Sequence, residues 1–369
     1  MTPSKRLSQG VLHKLVTADA MERGIAPQRV KRWVAAAAFF ELLNTAVQDG
    51  RIEAYLIKGG FAVELRQQGA ARTSEDIDLV IRGKVNGVEL LRELLPAEWD
   101  SFRFVIKGER AGDHAVRVDL QVYFNTVIWC TLNVDVLDEE MREIDYVENI
   151  DIKRYALPGV RPVACLSRSH QLAEWIHCTT RPALDGKRKN RARNVIDIYL
   201  LVQYAGSDEQ NVVAACKDVF AREATHSWPP TPDFPRQWLP DISGLLLELG
   251  LDVTLEDLVR IVTEYVTGLT NVEAKIDTLD LFRERVFRQV ADEIGPPGSE
   301  YNFEAGSWKR GVLTITLGEN AGVPYVACVA SPNGPLGHRS QAFPFTFDES
   351  GAGQAAALIA DRLQNPYWQ

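Results

Sequence analysis

Paired cysteine spacings are missing from this sequence. The five cysteines, Cys130, Cys165, Cys178, Cys216 and Cys328, are scattered and none belongs to a CxxC. An odd count without paired spacing argues against a disulfide framework and against a zinc site, and a reducing cytoplasm is the expected compartment. Long hydrophobic runs are missing too. The longest near the N-terminus, Trp33 to Leu43, is broken by Glu41 and is too short to span a bilayer. Residues Met1 to Lys5 lack the basic-then-apolar pattern of a secretory leader, so no membrane association is expected. A positive excess is also lacking. The formal net charge of −9 disfavours indiscriminate binding to polyanions but leaves room for a local basic patch. No internal repeat or low-complexity tract stands out. What remains is ordinary globular material, 46% hydrophobic and 25% charged over 369 residues, enough for one large domain or two to three smaller ones.

Periodicity divides the chain. Ser4 to Ala20 and Pro27 to Val47 place apolar residues at helical spacing, and Pro27 suits a first helical turn. A short strand, Ala54 to Ile57, leads into Lys58-Gly59-Gly60. A helix over Phe61 to Gln68, a strand over Asp76 to Ile81 and a short helix over Val88 to Leu95 follow. Phe102 to Lys107, Ala115 to Tyr123 and Val127 to Val136 are rich in Val, Ile, Phe and Tyr and read as strands. This order predicts an α+β fold, a mixed sheet with helices packed on it. From Ser167 the pattern turns helical, with helices expected over 167–178, 190–204, 208–224, 255–267 and 272–292. The proline-rich stretch Ser227 to Pro240 reads as a structured loop and Gly295 to Ser299 as a linker. Strands over 311–317, 325–330 and 342–347 and a terminal helix over 354–363 complete the chain. The expected domains are therefore a mixed one at 1–160, a helical one at 161–295 and a small β-rich appendix at 300–369.

The chemistry concentrates in Thr73-Ser74-Glu75-Asp76-Ile77-Asp78-Leu79-Val80-Ile81. Residues two apart on a strand share a face, so Asp76 and Asp78 should project together. Two carboxylates that close repel unless a cation lies between them, and hard oxygen donors favour Mg²⁺. An isolated DxD is also a common solvent-facing strand edge, so its context decides. Upstream, Gly59-Gly60 stands between a strand and a helix, where glycine permits close backbone approach and a helix start offers N–H groups to phosphate. A third carboxylate from a neighbouring strand has two candidates, Asp135 in Leu132-Asn-Val-Asp-Val136 and Asp119 in Val116-Arg-Val-Asp-Leu120, and Asp135 is preferred.

Lys58-Gly-Gly60 followed by Arg72-Thr-Ser-Glu-Asp-Ile-Asp-Leu79 resembles the AbiEii/MenT nucleotidyltransferase toxins, within the DNA polymerase β-like nucleotidyltransferase superfamily. Gln171-Leu-Ala-Glu-Trp-Ile-His177 resembles that family's Ala-Glu-Lys-Leu-His helix, and Arg191-Ala-Arg-Asn-Val-Ile-Asp197 its Arg-x-Lys-Asp-x-x-Asp helix. The resemblance covers residues 30 to 205. Two departures stand out: Trp175 replaces the family's helix lysine, and Arg193-Asn194 replaces its Lys-Asp pair, while Asp197 matches the second acid. Core packing is the expected role of Trp175.

The resemblance implies a Mg²⁺-dependent transfer of a nucleoside monophosphate from an NTP to RNA, at a tRNA 3′ end, which would inhibit translation and require a cognate antitoxin. Asp76, Asp78 and Asp135 would be the metal ligands, and these with Asp197 the catalytic acids. Lys58, Gly59, Gly60, Arg72 and Ser74 would hold the nucleotide. The basic run Lys187, Arg188, Lys189, Arg191 and Arg193, with Arg181 beside it, would track the RNA backbone. His177 could face the site, although a lone helical histidine is more often structural. A protein or small-molecule acceptor, or a catalytically silent binding module, are the alternatives.

Overall fold

The computed structural model describes residues 7–67, 71–112, 115–183, 188–205, 209–294, 301–302, 307–310, 313–320, 323–330, 339–345 and 349–364. Ser8 opens the first helix, α1 (Gln9–Arg23), by accepting the Val11 N–H at 3.4 Å on its hydroxyl. Gly24, at φ 66°, closes it. Pro27 begins α2 (Pro27–Gln48), as its fixed φ and missing N–H suit that position. The middle of α2 is buried on every side: Val34 to Phe40 are at most 1% exposed. A helix that is apolar all round must be covered all round.

The covering surface is an eight-stranded sheet built from β1 (Ala54–Lys58), β2 (Asp76–Arg82), β3 (Glu98–Trp99), β4 (Phe102–Ala111), β5 (Ala115–Phe124), β6 (Val127–Leu137), β7 (Ile144–Val147) and β8 (Val163–Leu166), interleaved with α3 (Gly59–Gln67) and α4 (Gly87–Leu94). The strand order is β3-β4-β5-β6-β2-β1-β8-β7. The pairs β2–β6 and β1–β8 are parallel and the others antiparallel, so the sheet is mixed as expected. Its two faces differ in the way a period of two dictates. Ile77, Leu79 and Ile81 of β2 join the main core with Phe39, Phe40, Phe61 and Phe104. Val80 joins a small separate cluster with Leu56 and Leu166, and Asp76 and Asp78 share its side of the strand.

Beyond the sheet come α5 (Arg168–Thr180), α6 (Ala192–Ala205), α7 (Glu209–Glu223), α8 (Leu239–Leu249) and α9 (Leu255–Ile294). Leu172, Ile176, Val195, Ile198, Val212, Phe220 and Ile242 are buried among them. The two helices expected over 255–267 and 272–292 are one continuous helix, and α8 begins at the last two residues of the expected loop and runs on through a stretch for which the sequence predicts no element. The linker at 295–299 lies outside the described residues. The chain divides into two compact units, residues 1–267 and 268–369. The second holds an antiparallel sheet in the order β13-β12-β11-β10-β9, from β9 (Tyr301–Asn302), β10 (Ser307–Arg310), β11 (Leu313–Asn320), β12 (Val323–Ala330) and β13 (Arg339–Pro344), with α10 (Glu349–Gln364). Its own core joins Phe282, Val286 and Val290 to Ile315, Leu317, Val326, Ala355 and Ile359. Among the described residues, no helix is long and apolar enough to cross a membrane.

Candidate active site

Strand register assembles the site. Lys58 of β1 lies opposite Asp78 of β2, Asp78 opposite Asp135 of β6, and Asp135 opposite Arg117 of β5. Directly opposed residues share a face, so these four side chains form one row across four strands, with Asp76 two positions along β2 on the same side. Asp119 lies on that face too, opposite Asn133, but its carboxylate pairs with Arg110 at 3.0 Å. The geometry thus brings Asp135, and not Asp119, alongside Asp78.

A cation already bridges two of the acids. Arg117 donates from Nε and Nη2 to the two oxygens of Asp135, each at 2.8 Å, and the same Nη2 lies 2.8 Å from Asp76 Oδ2. Those hydrogen bonds to Asp135, with the charge of Asp76, hold the Arg117 guanidinium above its ordinary pKa. Asp78 is left without a guanidinium. Burial pushes its carboxyl up to about 7; Lys58 pulls it down, while Asp135, Asp76 and Glu139 raise it further. Among the described residues, no group of three or more acidic, histidine or cysteine side chains is arranged to hold a metal ion as it stands. The donor chemistry nonetheless suits a hard divalent cation. Three carboxylates converge from adjacent strands, Asp78 is held up in pKa by burial and then by the other two, and a positive group has settled between the remaining pair.

The glycine pair is dictated by these side chains. Gly59 has φ +68°, and a Cβ there would lie 1.8 Å from Asp78 Oδ2. A Cβ on Gly60 would come within 2.8 Å of an Arg72 guanidinium nitrogen and 2.9 Å of Ser74 Oγ. The close approach expected of a ligand is thus made first by the protein's own carboxylate and guanidinium. The Gly59 N–H donates to Gln171 Oε1 of α5 at 3.0 Å, which ties the start of α3 to that helix.

Lys58 does not project freely. Its Nζ sits 2.7 Å from Glu139 and 2.8 Å from Glu174. Burial would lower it, but Glu174 and Glu139 together hold it above its ordinary value. Arg72 is clamped by Asp197, whose carboxylate oxygens receive Nη2 at 2.7 Å and Nε at 3.0 and 3.1 Å. Asp197 is 1% exposed. An acid so enclosed faces its arginine, and its geometry is that of a residue that positions Arg72. Ser74 is fixed through its N–H, which donates to Glu64 Oε2 at 3.0 Å, and through its hydroxyl, which donates to the Asp76 carbonyl at 3.0 Å.

Several expected residues lie elsewhere. His177 accepts or donates at Thr225 Oγ1 (2.8 Å), stacks on His226 and meets Phe220 edge-on. Burial, with His226 beside it, pushes it down to about 4, so it is a neutral packing group. Trp175 is buried, as core packing requires. Arg188 is drawn inward: it donates to the Thr179 and Asp233 carbonyls and lies over the Trp238 ring. It is therefore not available to track a phosphate backbone. Arg181, Lys189 and Arg193 are exposed, Arg191 is half-buried, and Lys187 lies outside the described residues. Sequence reasoning missed Arg117, Glu139, Glu174 and Gln171 as site residues. The one signal for Arg117 was its place two residues before Asp119 on an otherwise apolar strand.

Comparisons with known proteins identify the family. Residues 41–264, well over half of the chain, match the family model described as "Nucleotidyl transferase AbiEii toxin, Type IV TA system". Among solved structures, the chain is similar to MenT4, a nucleotidyltransferase toxin from Mycobacterium tuberculosis H37Rv, with 16% identity over 71% of this chain and 99% of that one and a TM-score of 0.43. It is also similar to JHP933 from Helicobacter pylori, with 16% identity over 75% of this chain and 99% of that one and a TM-score of 0.38. No curated protein sequence matches it. The match over 41–264 takes in the strands and helices that carry the carboxylate row, the glycine pair and the Arg72–Asp197 clamp. The chain belongs to the AbiEii family of nucleotidyltransferase toxins.

Proposed function

We propose that this nucleotidyltransferase moves a nucleoside monophosphate from an NTP to RNA, at a tRNA 3′ end, in a Mg²⁺-dependent reaction that inhibits translation, and that a cognate antitoxin protein restrains it. One observation carries the reading: Asp76, Asp78 and Asp135 share a sheet face in adjacent register, beside a glycine turn that a Cβ would destroy. Asp76, Asp78 and Asp135 would hold Mg²⁺, which when bound supplies the charge neutralisation that phosphoryl transfer needs. Arg72, steadied by Asp197 and set against Gly60 and Ser74, would meet triphosphate oxygens at the first turn of α3. Lys58 would act at one remove, holding Glu139 and Glu174 and balancing Asp78. Asp135 would accept a proton from an attacking hydroxyl once Arg117, which now holds it, has moved away.

The test is incubation of the full chain with each radiolabelled NTP, with total RNA or total protein as acceptor, in Mg²⁺ and in EDTA. Label should enter small RNA only in Mg²⁺, and Asp76→Ala and Asp78→Ala should abolish it with the fold intact by circular dichroism. Label in protein, or undiminished activity in either variant, defeats this reading.

A further inference from the structure

Arg117 directs its Nε and Nη2 at the two flanking carboxylates. Its fork is bidentate on Asp135 and its Nη2 extends to Asp76, all at 2.8 Å. These acids come from two strands, β6 and β2, and the guanidinium joins them from a third, β5. The side chain is about one-third exposed, so water reaches it. Its cross-strand neighbour behaves differently. Arg110, directly opposite on β4, turns to Asp119 and leaves the carboxylate row alone. Two cations thus stand side by side, Arg110 the more exposed, and only Arg117 has been drawn among the acids.

We propose that Arg117 is a resident counter-ion that competes with the divalent cation for Asp76 and Asp135, so that metal loading must displace its guanidinium. The inference rests on the reading of Asp76, Asp78 and Asp135 as the cation's ligands. The physics is mass action between two positive groups for one set of oxygens. A carboxylate whose oxygens accept from Arg117 offers fewer lone pairs to a metal, and breaking a bidentate charge-assisted pair takes part of the metal's binding free energy. The arrangement keeps three acids compatible on one face before any metal binds. It also sets metal affinity lower than the bare donor set would give, so that the site fills only where the cation is plentiful or the triphosphate adds ligands.

The experiment measures Mn²⁺ binding to the full chain by the electron paramagnetic resonance of the free ion, without nucleotide, together with melting temperature in EDTA and in saturating Mn²⁺. Arg117→Met should bind Mn²⁺ about tenfold tighter, melt lower than the wild type in EDTA and gain more on adding Mn²⁺. Arg110→Met removes one positive charge next door without touching the row, and its Mn²⁺ affinity should stay within about twofold of wild type. Equal tightening in both variants would reduce the effect to net charge and overturn the proposal, as would unchanged or weaker binding in Arg117→Met. Should that variant not fold, Arg117→Lys keeps the charge but loses the fork. Several-fold tighter Mn²⁺ binding supports the proposal and wild-type binding overturns it. If neither wild type nor variant binds Mn²⁺, the metal reading of the three carboxylates fails as well, which separates that failure from a failure of Arg117 alone.

Discussion

Gly59 shows how little freedom a single position has here. Its φ of +68° is one that side chains resist, and Asp78 Oδ2 fills the place of a Cβ at 1.8 Å. Gly59→Ala should cost at least about 1 kcal/mol from the backbone alone. It should also remove nucleotide transfer almost completely, because Asp78 must move. Urea unfolding and the labelling assay check this; a variant of near wild-type activity would show that the Asp78 position is not critical. Asp135 and Asp119 offer a second comparison. Both sit on the same face of the sheet, yet one adjoins Asp78 and the other pairs with Arg110. Asp135→Asn should lower the rate by a hundredfold or more, roughly the scale of a lost acid–base group, and Asp119→Asn by less than about threefold on the same scale. The reverse order would assign the third carboxylate to β5. At this scale the DxD was legible because a period of two is local: Asp76 and Asp78 announce their common face without reference to any other strand. Arg117 was not. Its meaning lies in the register of β5 on β6, which aligns it with Asp135, eighteen residues away, and no local pattern encodes that pairing.

Elements were legible where they were long or clearly periodic. The strands β1, β2, β4, β5 and β6 lie where alternation and β-branched content place them, with ends moved by a few residues. Three departures have physical causes. The strand β8 is four residues long and buried throughout, so it shows no alternation to read. Helix α8 begins at Leu239-Pro240, where a proline that looks like a loop signal is in fact a helix starter. Helix α9 runs through Gly268, an interruption a helix tolerates at about 1 kcal/mol. The contact that matters most between elements is also invisible in sequence. Glu64 of α3 is 3% exposed and accepts from Arg29 Nε at 2.6 Å and Trp33 Nε1 at 2.8 Å, both on α2, and from the Ser74 N–H at 3.0 Å. It therefore pins the segment before β2 to the central helix. Glu64→Gln leaves Arg29 without its counter-charge and should lower stability by about 3 kcal/mol, since removing one partner of a buried pair strands the other. Hydrogen exchange at residues 71–75 should quicken at the same time. A loss under about 0.5 kcal/mol would mean that Arg29, which also donates to the Ala71 carbonyl, suffices alone.

At the scale of the whole molecule, charge and proton balance govern behaviour. His177 is held down to about 4 against an ordinary 6.5. Between those values the unfolded chain takes up a proton that the folded chain refuses. Stability therefore falls as pH drops from about 6.5 towards 4 and is level with respect to this group below that, a loss on the order of 2 kcal/mol. His177→Gln should flatten that part of the pH–stability curve; an unchanged slope would place the proton elsewhere, with His226 the next group to test. The proposed RNA acceptor sets the harder problem, because the molecule carries a formal charge of −9 and would still have to attract a polyanion. The basic run supplies less than its count suggests, since Arg188 is consumed by Thr179, Asp233 and Trp238. Arg181, Lys189 and Arg193 keep their cations in solvent. If they meet phosphates, replacing all three by Gln should weaken RNA binding and flatten the slope of log affinity against log salt by about two units, as each lost contact removes roughly 0.7 to 0.9. NTP affinity should hold, because the triphosphate-binding groups proposed at Arg72 and Ser74 are clamped by hydrogen bonds to Asp197 and Glu64, and Arg193 reaches Asp197 only through its charge. Arg188→Gln is the counterpart: it should lower thermal stability and leave the salt slope alone. An unchanged slope in the triple variant would make these three cations a solvated surface. A collapse of NTP affinity with RNA affinity intact would instead put them at the triphosphate, in the role the family's helix lysine leaves open at Trp175.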